Sequence, residues 1–312
     1  MDRIFFYLFY ISLGLLAFLP LRVLFVLSDI NFFFIYYVFG YRKKTVRENL
    51  RNSFPDKTEK ELKKVELRFY RHFCDLFVEV NYSLFVSNRR VKKMVTFKNI
   101  DLVYKFYEQG KSVIVTGGHY GNWELLNLLS LYVKHTVIGA YKPINNKYFE
   151  NFINKSRERF GALPVPMHDV ARMALKMSRE GKPFFLGLIS DQTPVKGDIR
   201  YWTTFLNQDT PIFLGTEKIA VKANQPVLFC SMRKVKRGRY EVELELLTEN
   251  PKETKPYEIT EMHVKALERL IQEKPEYWLW SHRRWKHKRK NANEPVKDRK
   301  STRLNSSHRI RS

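Results

Sequence analysis

Val113-Ile114-Val115-Thr116-Gly117-Gly118-His119-Tyr120-Gly121-Asn122-Trp123-Glu124-Leu125-Leu126 is the stretch from which the fold can be read. Its first residues are β-branched and uncharged, the composition of a buried strand. Gly117 and Gly118 permit a tight turn with close backbone approach, and Asn122 is a fair N-cap for a helix over residues 123–133 that carries Leu125, Leu126, Leu128 and Leu129. His119 is therefore expected on a loop. Glu124 is expected in the first helical turn, where the helix dipole favours a carboxylate.

Strand and helix signals alternate onward from this segment. Residues 136–140 and 183–189 read as strands, and residues 147–160 and 170–179 as helices. Residues 227–234 and 240–247 read as paired strands joined by a turn at 236–239, and residues 259–274 as a helix. The alternation predicts an α/β domain with a mixed sheet flanked by helices. Upstream, residues 45–52 and 58–82 look helical, separated by Phe54-Pro55-Asp56. Leu62, Val65, Phe69, Phe73, Phe77 and Val80 recur at helical spacing, a stripe suited to a core or a membrane surface.

The chain has 312 residues, 44% of them hydrophobic, which excludes a mainly disordered protein. Lys and Arg number 56 against 32 Asp and Glu, and the net charge of +24 implies an anionic partner: nucleic acid, anionic lipid or an acidic carrier protein. Cys74 and Cys230 stand alone, without disulfide or zinc-ligand spacing. Residues 4–21 carry no charge and reach the roughly 18-residue length of a membrane span. The run is longer than a signal-peptide core, and no small-residue cleavage pattern follows it, so a retained anchor is expected. Arg42, Lys43, Lys44, Arg47 and Arg51 follow, which places the body in the cytoplasm by the positive-inside rule. Residues 23–40 are also apolar, but Asp29 and Asn31 within them leave spanning, re-entrant and interfacial placements open. The expected organisation is an anchor over 1–41, one catalytic domain over 42–290, and a tail over 291–312. The tail's polar composition suits disorder or a non-native end.

His119 and Glu124 suit general-base chemistry. An alcohol attacks well only if its proton leaves as it does so, and an imidazole is the side chain best suited to take that proton. A carboxylate on the far ring nitrogen would fix the tautomer, as in a hydrolase triad, and the acceptor hydroxyl could stand where the triad serine does. Backbone N–H groups near Gly117 and Gly118 are oxyanion candidates. An isolated His-x-x-x-x-Glu is as readily a structural histidine beside a capping glutamate. The segment Trp278 to His287 mixes aromatics with cations, a composition open to a membrane interface, a nucleic-acid surface or a packed core. No third ligand accompanies His282 and His287 at zinc spacing.

The segments VRENLRNSFP (46–55), GGHYGNWELL (117–126), YKPINN (141–146), FINKSRERFG (152–161), SDQTP (190–194) and PEYWLWSHRRWKHK (275–288) occur in an order that resembles the late acyltransferases of lipid A biosynthesis. These are the lauroyl and myristoyl transferase family within the lysophospholipid acyltransferase superfamily. The resemblance implies a glycerolphosphate-acyltransferase-like α/β fold behind an N-terminal membrane-anchoring helix at the cytoplasmic face of an inner membrane. It implies an acyl donor carried as a thioester, on acyl carrier protein or CoA, with no resident cofactor or metal. The acceptor it implies is a hydroxyl of a lipid A precursor, with another membrane glycolipid or aminolipid as the alternative. By the same resemblance His119 is the catalytic histidine and Glu124 its acidic partner, while Arg157 and Asp191 are required residues in substrate binding. Lys142 stands where many relatives have Arg, keeping the charge but losing the bidentate fork. The bilayer, anionic lipid and an acidic carrier protein are the implied partners of the basic chain. A membrane-tethered nucleic-acid-binding module is the rival class, which would need no His119 and Glu124.

Overall fold

A computed structural model describes residues 2–289, with side chains from Tyr10 onward. The expected tail, residues 291–312, lies outside the described residues. Helices α1 (Asp2–Ala17) and α2 (Leu21–Phe33), the latter continued by a π-helical turn Phe34–Val38, lead into α3 (Lys43–Ser53) and the long α4 (Glu59–Phe85). Thr58 and Glu61 start α4 with a reciprocal capping box, Glu61 N–H donating to Thr58 Oγ1 at 3.3 Å and Thr58 N–H to Glu61 Oε2 at 2.8 Å. After a short α5 (Asn88–Val91) come β1 (Val95–Lys98), α6 (Asp101–Glu108), β2 (Val113–Gly117), a 3₁₀ segment Trp123–Leu131, β3 (Thr136–Tyr141), α7 (Lys147–Glu158) and β4 (Leu163–Pro166). Then follow α8 (Val170–Arg179), β5 (Phe184–Ile189), a small antiparallel hairpin of β6 (Trp202–Phe205) and β7 (Gln208–Pro211), and α9 (Gly215–Ala223). The last elements are β8 (Val227–Lys236), β9 (Arg239–Thr248) and α10 (Glu258–Glu273).

The main sheet has seven strands in the order β1-β9-β8-β2-β5-β3-β4. β8 and β9 pair antiparallel and every other pair is parallel, so the sheet is mixed, as expected from the alternating pattern. β2 is buried at every position, as a central parallel strand covered on both faces must be. The pleat sorts its side chains. Val113, Val115, Val137 and Phe185 face a core shared with Val103 and Phe106 of α6. Ile114, Ile138, Phe184 and Leu186 face the other way, onto Ala174 of α8, Ala220 of α9 and Ile259 of α10.

Besides the helices α5, α6 and α9, four strands lacked a sequence signal. β1 has four residues and pairs with β9 at one sheet edge, and β4 at the other edge contains Pro164 and Pro166. An edge strand tolerates proline because one side of it needs no N–H donor. The hairpin of β6 and β7 turns through Leu206 and Asn207, both at positive φ without a glycine to mark them.

The burial of the tryptophans of 278–285 decides among the three accounts open for that segment. Trp278, Trp280 and Trp285 are buried together in a core with Phe69 of α4 and Leu270 of α10, so the packed account holds and neither a bilayer nor a nucleic acid meets these rings. After a 3₁₀ turn Pro275–Tyr277 the segment is irregular rather than helical.

Candidate active site

β2 and β5 lie side by side in parallel register, Gly117 opposite Ile189. Two residues beyond that pair stand His119 and Asp191, so the strand pairing itself brings them together at the carboxyl edge of the sheet, where open α/β sheets form their clefts. His119 Nδ1 lies 2.6 Å from Asp191 Oδ1. Asp191 Oδ2 accepts the His119 backbone N–H at 2.9 Å and the Trp278 indole N–H at 2.7 Å. The carboxylate is thus held by donors on both oxygens, and Nδ1 carries the proton it shares with Oδ1. Nε2 is left with its lone pair. The Gln192 side-chain amide donates to it at 3.1 Å, and the Trp123 ring stands edge-on to the imidazole at 5.0 Å between centroids. The His119 side chain keeps 18% of its surface open against 3% for Asp191, so the imidazole is the member of the pair that is reached from outside.

The charges follow from these contacts. Burial would raise the Asp191 pKa, but the facing imidazole and the three N–H donors outweigh burial and hold the carboxyl below its usual range. For His119, burial pulls the pKa down, while the Asp191 charge, its hydrogen bond and the nearby Glu124 charge together leave it raised. A base of this kind is protonated at mildly acidic pH and becomes competent as pH rises.

Glu124 is not the partner of Nδ1. Its Oε2 lies 3.5 Å from Arg157 Nη2 and 3.4 Å from Asn127 Nδ2. Two physical reasons apply. Asp191 already occupies Nδ1, and the segment after Asn122 is a 3₁₀ helix with three residues per turn rather than the expected α-helix, which changes where Glu124 points. Asn122 makes no side-chain cap; its Nδ2 instead donates to the buried Glu79 Oε2 at 3.0 Å. Tyr240 O–H and Gly238 N–H also donate to Glu79, at 2.6 and 3.0 Å, tying the loop after His119 to α4 and the β8–β9 turn.

Arg157, near the end of α7, reaches this site through Glu124 and is not solvated on an open helix face. Lys142 follows β3, one strand beyond β5 on the same sheet edge, and is exposed. Gly117 belongs to the strand, and its carbonyl accepts Ser190 N–H at 3.3 Å. Gly118 sits in the turn itself. A Cβ there would lie 2.6 Å from Leu267 Cδ1 and 3.2 Å from Asp191 Oδ2, so α10 and the carboxylate both press on this backbone. Gly118→Ala should lower the thermal midpoint by overpacking, at a cost of about 1–3 kcal/mol. Combined with Leu267→Ala it should cost clearly less than the sum of the two single changes; simple additivity in thermal melts would contradict this crowding.

Trp278 and Gln192 are the residues of the site that sequence reasoning missed as its parts. Their only signal was position, Gln192 directly after Asp191 and Trp278 in a segment whose composition is open to a surface or a packed core.

An imidazole fixed by a buried carboxylate at one nitrogen and met only by a side-chain amide at the other, at the carboxyl edge of a mixed sheet, is an arrangement able to take a proton from an incoming group that displaces the amide. Which enzyme class the chain falls in is given by its relatives. Residues 1–287 match the family of bacterial lipid A biosynthesis acyltransferases, and the chain belongs to that family. It is 22% identical over 250 residues to the lipid A biosynthesis palmitoleoyltransferase of Escherichia coli (strain K12), covering 78% of this chain and 79% of that protein. The same identity and coverage relate it to the lipid A biosynthesis acyltransferase of Shigella flexneri.

Proposed function

We propose that this acyltransferase moves a fatty acyl chain from a carrier thioester to a hydroxyl of a lipid A precursor, with His119 as the base and Asp191 as the group that orients it. The observation that carries the reading is the 2.6 Å contact between His119 Nδ1 and Asp191 Oδ1, which leaves Nε2 as the proton acceptor. The acceptor O–H gives its proton to Nε2 as its oxygen bonds to the thioester carbonyl carbon. The C–S bond then breaks and the imidazolium returns the proton to the departing thiolate. Gln192 now holds the place at Nε2 that the hydroxyl needs, and the substrate displaces its amide. Turn backbone at Gly118 is the oxyanion donor in this scheme.

Glu124 takes a different part from the one its spacing suggested. Its charge supports the imidazolium and holds Arg157, which with Lys142 receives anionic groups of the acceptor. The donor is acyl carrier protein, whose acidic surface suits a chain of net charge +24, and the enzyme works at the cytoplasmic face of the inner membrane.

The test is mass spectrometry of lipids from cells with and without the protein, together with transfer assays on purified enzyme. The expected result is a lipid A species heavier by one acyl group, formed faster from acyl carrier protein than from CoA thioester. Unchanged lipid A with a gain in another lipid would replace the acceptor; no acylated lipid at all would overturn the reading. Glu124→Gln should move the acid limb of kcat/KM to lower pH, because a negative charge beside the imidazole is removed. An unmoved limb would take Glu124 out of the electrostatics.

A further inference from the structure

The described helix long and apolar enough to cross a bilayer is not free of the domain. Residues Leu21–Val38 have the length and composition of a membrane span, yet one side of this helix is bound to the catalytic domain along its whole length. Near the start, Leu21 and Phe25 rest on Gly238, where an added Cβ would lie 2.9 Å from Leu21 and 3.0 Å from Phe25. At the middle, Arg237 in the β8–β9 turn grips Asp29 with Nη2 and Nη1, at 2.7 and 3.0 Å, and donates to the Phe25 carbonyl at 3.2 Å. The same Arg237 and Lys234 pair with Asp75 of α4, which also accepts Ser28 O–H at 2.8 Å. Toward the end, Phe32 and Tyr36 are buried against α4, and Tyr36 O–H donates to Glu66 at 2.9 Å.

A helix clamped this way cannot cross a bilayer without taking Asp75, Lys234, Arg237 and Glu66 into the hydrocarbon beside it, which is costly. Its other side is a different surface. Val23, Val26, Ile30, Phe33, Phe34 and Tyr37 are exposed and recur at helical spacing, so they form one apolar stripe directed away from the domain. Cations mark both ends, with Arg22 exposed in the first turn and Lys44 exposed beyond the last. Ile11, Leu15 and Phe18 continue the exposed apolar surface into α1.

We infer that α2 and its π turn lie flat in the headgroup boundary of an anionic bilayer, stripe inward and Arg237–Asp29 clasp outward, so that the catalytic domain itself is seated on the membrane. The apolar stripe provides area buried in lipid and the flanking cations provide attraction to anionic headgroups, the two components of interfacial helix binding. Asp29 is tolerated in the apolar run because it points to Arg237 rather than to lipid.

Depth measurement tests this without reference to the reaction, so its failure and the failure of the proposed activity are distinguishable. In the full chain, Val23→Cys, Ile30→Cys and Tyr37→Cys would each be labelled with an environment-sensitive fluorophore; Cys74 and Cys230 are buried. The labelled proteins would be placed in vesicles of phosphatidylethanolamine and phosphatidylglycerol carrying nitroxides at the headgroup or mid-chain. The expected result is stronger quenching by the shallow nitroxide at all three positions, with similar depths of about 5–10 Å. Deepest quenching at Ile30, with Val23 and Tyr37 shallow on opposite leaflets, would show a span and overturn the inference. Absence of quenching at all three would overturn it as well, showing that the stripe is covered by protein or left in water.

Discussion

His119→Ala is expected to lower acyl-transfer turnover by about two to four orders of magnitude while leaving the fold intact. The first half follows from the proposed role of His119 as the group that takes the acceptor proton. The second follows from what remains: Asp191 Oδ2 still accepts the backbone N–H of residue 119 and the Trp278 indole, so no unpaired carboxylate is left in the core. The loss should fall on kcat rather than KM, because proton transfer strengthens in the transition state and not in the bound ground state. Steady-state kinetics with thermal melts of the purified variant check both halves. Near-normal turnover would remove His119 from the mechanism.

Asp191→Asn should be comparably damaging, about a thousand- to ten-thousand-fold in kcat, and for a more specific reason. The site presents three N–H donors to this side chain: His119 N, His119 Nδ1 and Trp278 Nε1. A carboxylate accepts from all of them. An amide has a single oxygen, so its own NH₂ must meet at least one donor, and the imidazole is driven to the tautomer with its proton on Nε2, where it cannot act as a base. The pH profile separates this from general damage. In the wild type the raised His119 pKa places the acid limb of kcat/KM above the ordinary imidazole value of 6.5, with activity growing as pH rises through it. Without the Asp191 charge, burial is left to pull the pKa down, so the residual activity of the variant should show its limb at lower pH. A limb that stays in place would mean that Asp191 does not govern the imidazole.

Much of this was legible in the sequence, and the rest was hidden for identifiable reasons. The β-branched run of Val113–Gly117 and the alternation after it gave the mixed sheet, and the bounds of β5 and α8 followed from local composition. β4 was masked by its prolines and β1 by its length, since both rely on being edge strands, which is a property of the sheet and not of the segment. The site divides in the same way. His119 and Glu124 are legible together because they share one segment, whereas Asp191 lies on another, just past the strand expected at 183–189. Its contact with His119, however, depends on β5 being the neighbour of β2, and only strand order shows that. Glu124 was assigned to Nδ1 from spacing on an α-helix, and the 3₁₀ geometry after Asn122 turns it toward Arg157.

The tautomer of His119 is the most direct test of the whole account. Nitrogen-15 and proton NMR of histidine-labelled enzyme at a pH above the acid limb of kcat/KM, where the imidazole is neutral, assigned by the His119→Ala variant, reports which ring nitrogen carries the proton. The account predicts a strongly downfield Nδ1–H with unprotonated Nε2, retained in Glu124→Gln and lost in Asp191→Asn. A proton resident on Nε2 in the wild type, or an Nδ1–H signal that vanishes with Glu124 and survives loss of Asp191, would contradict it.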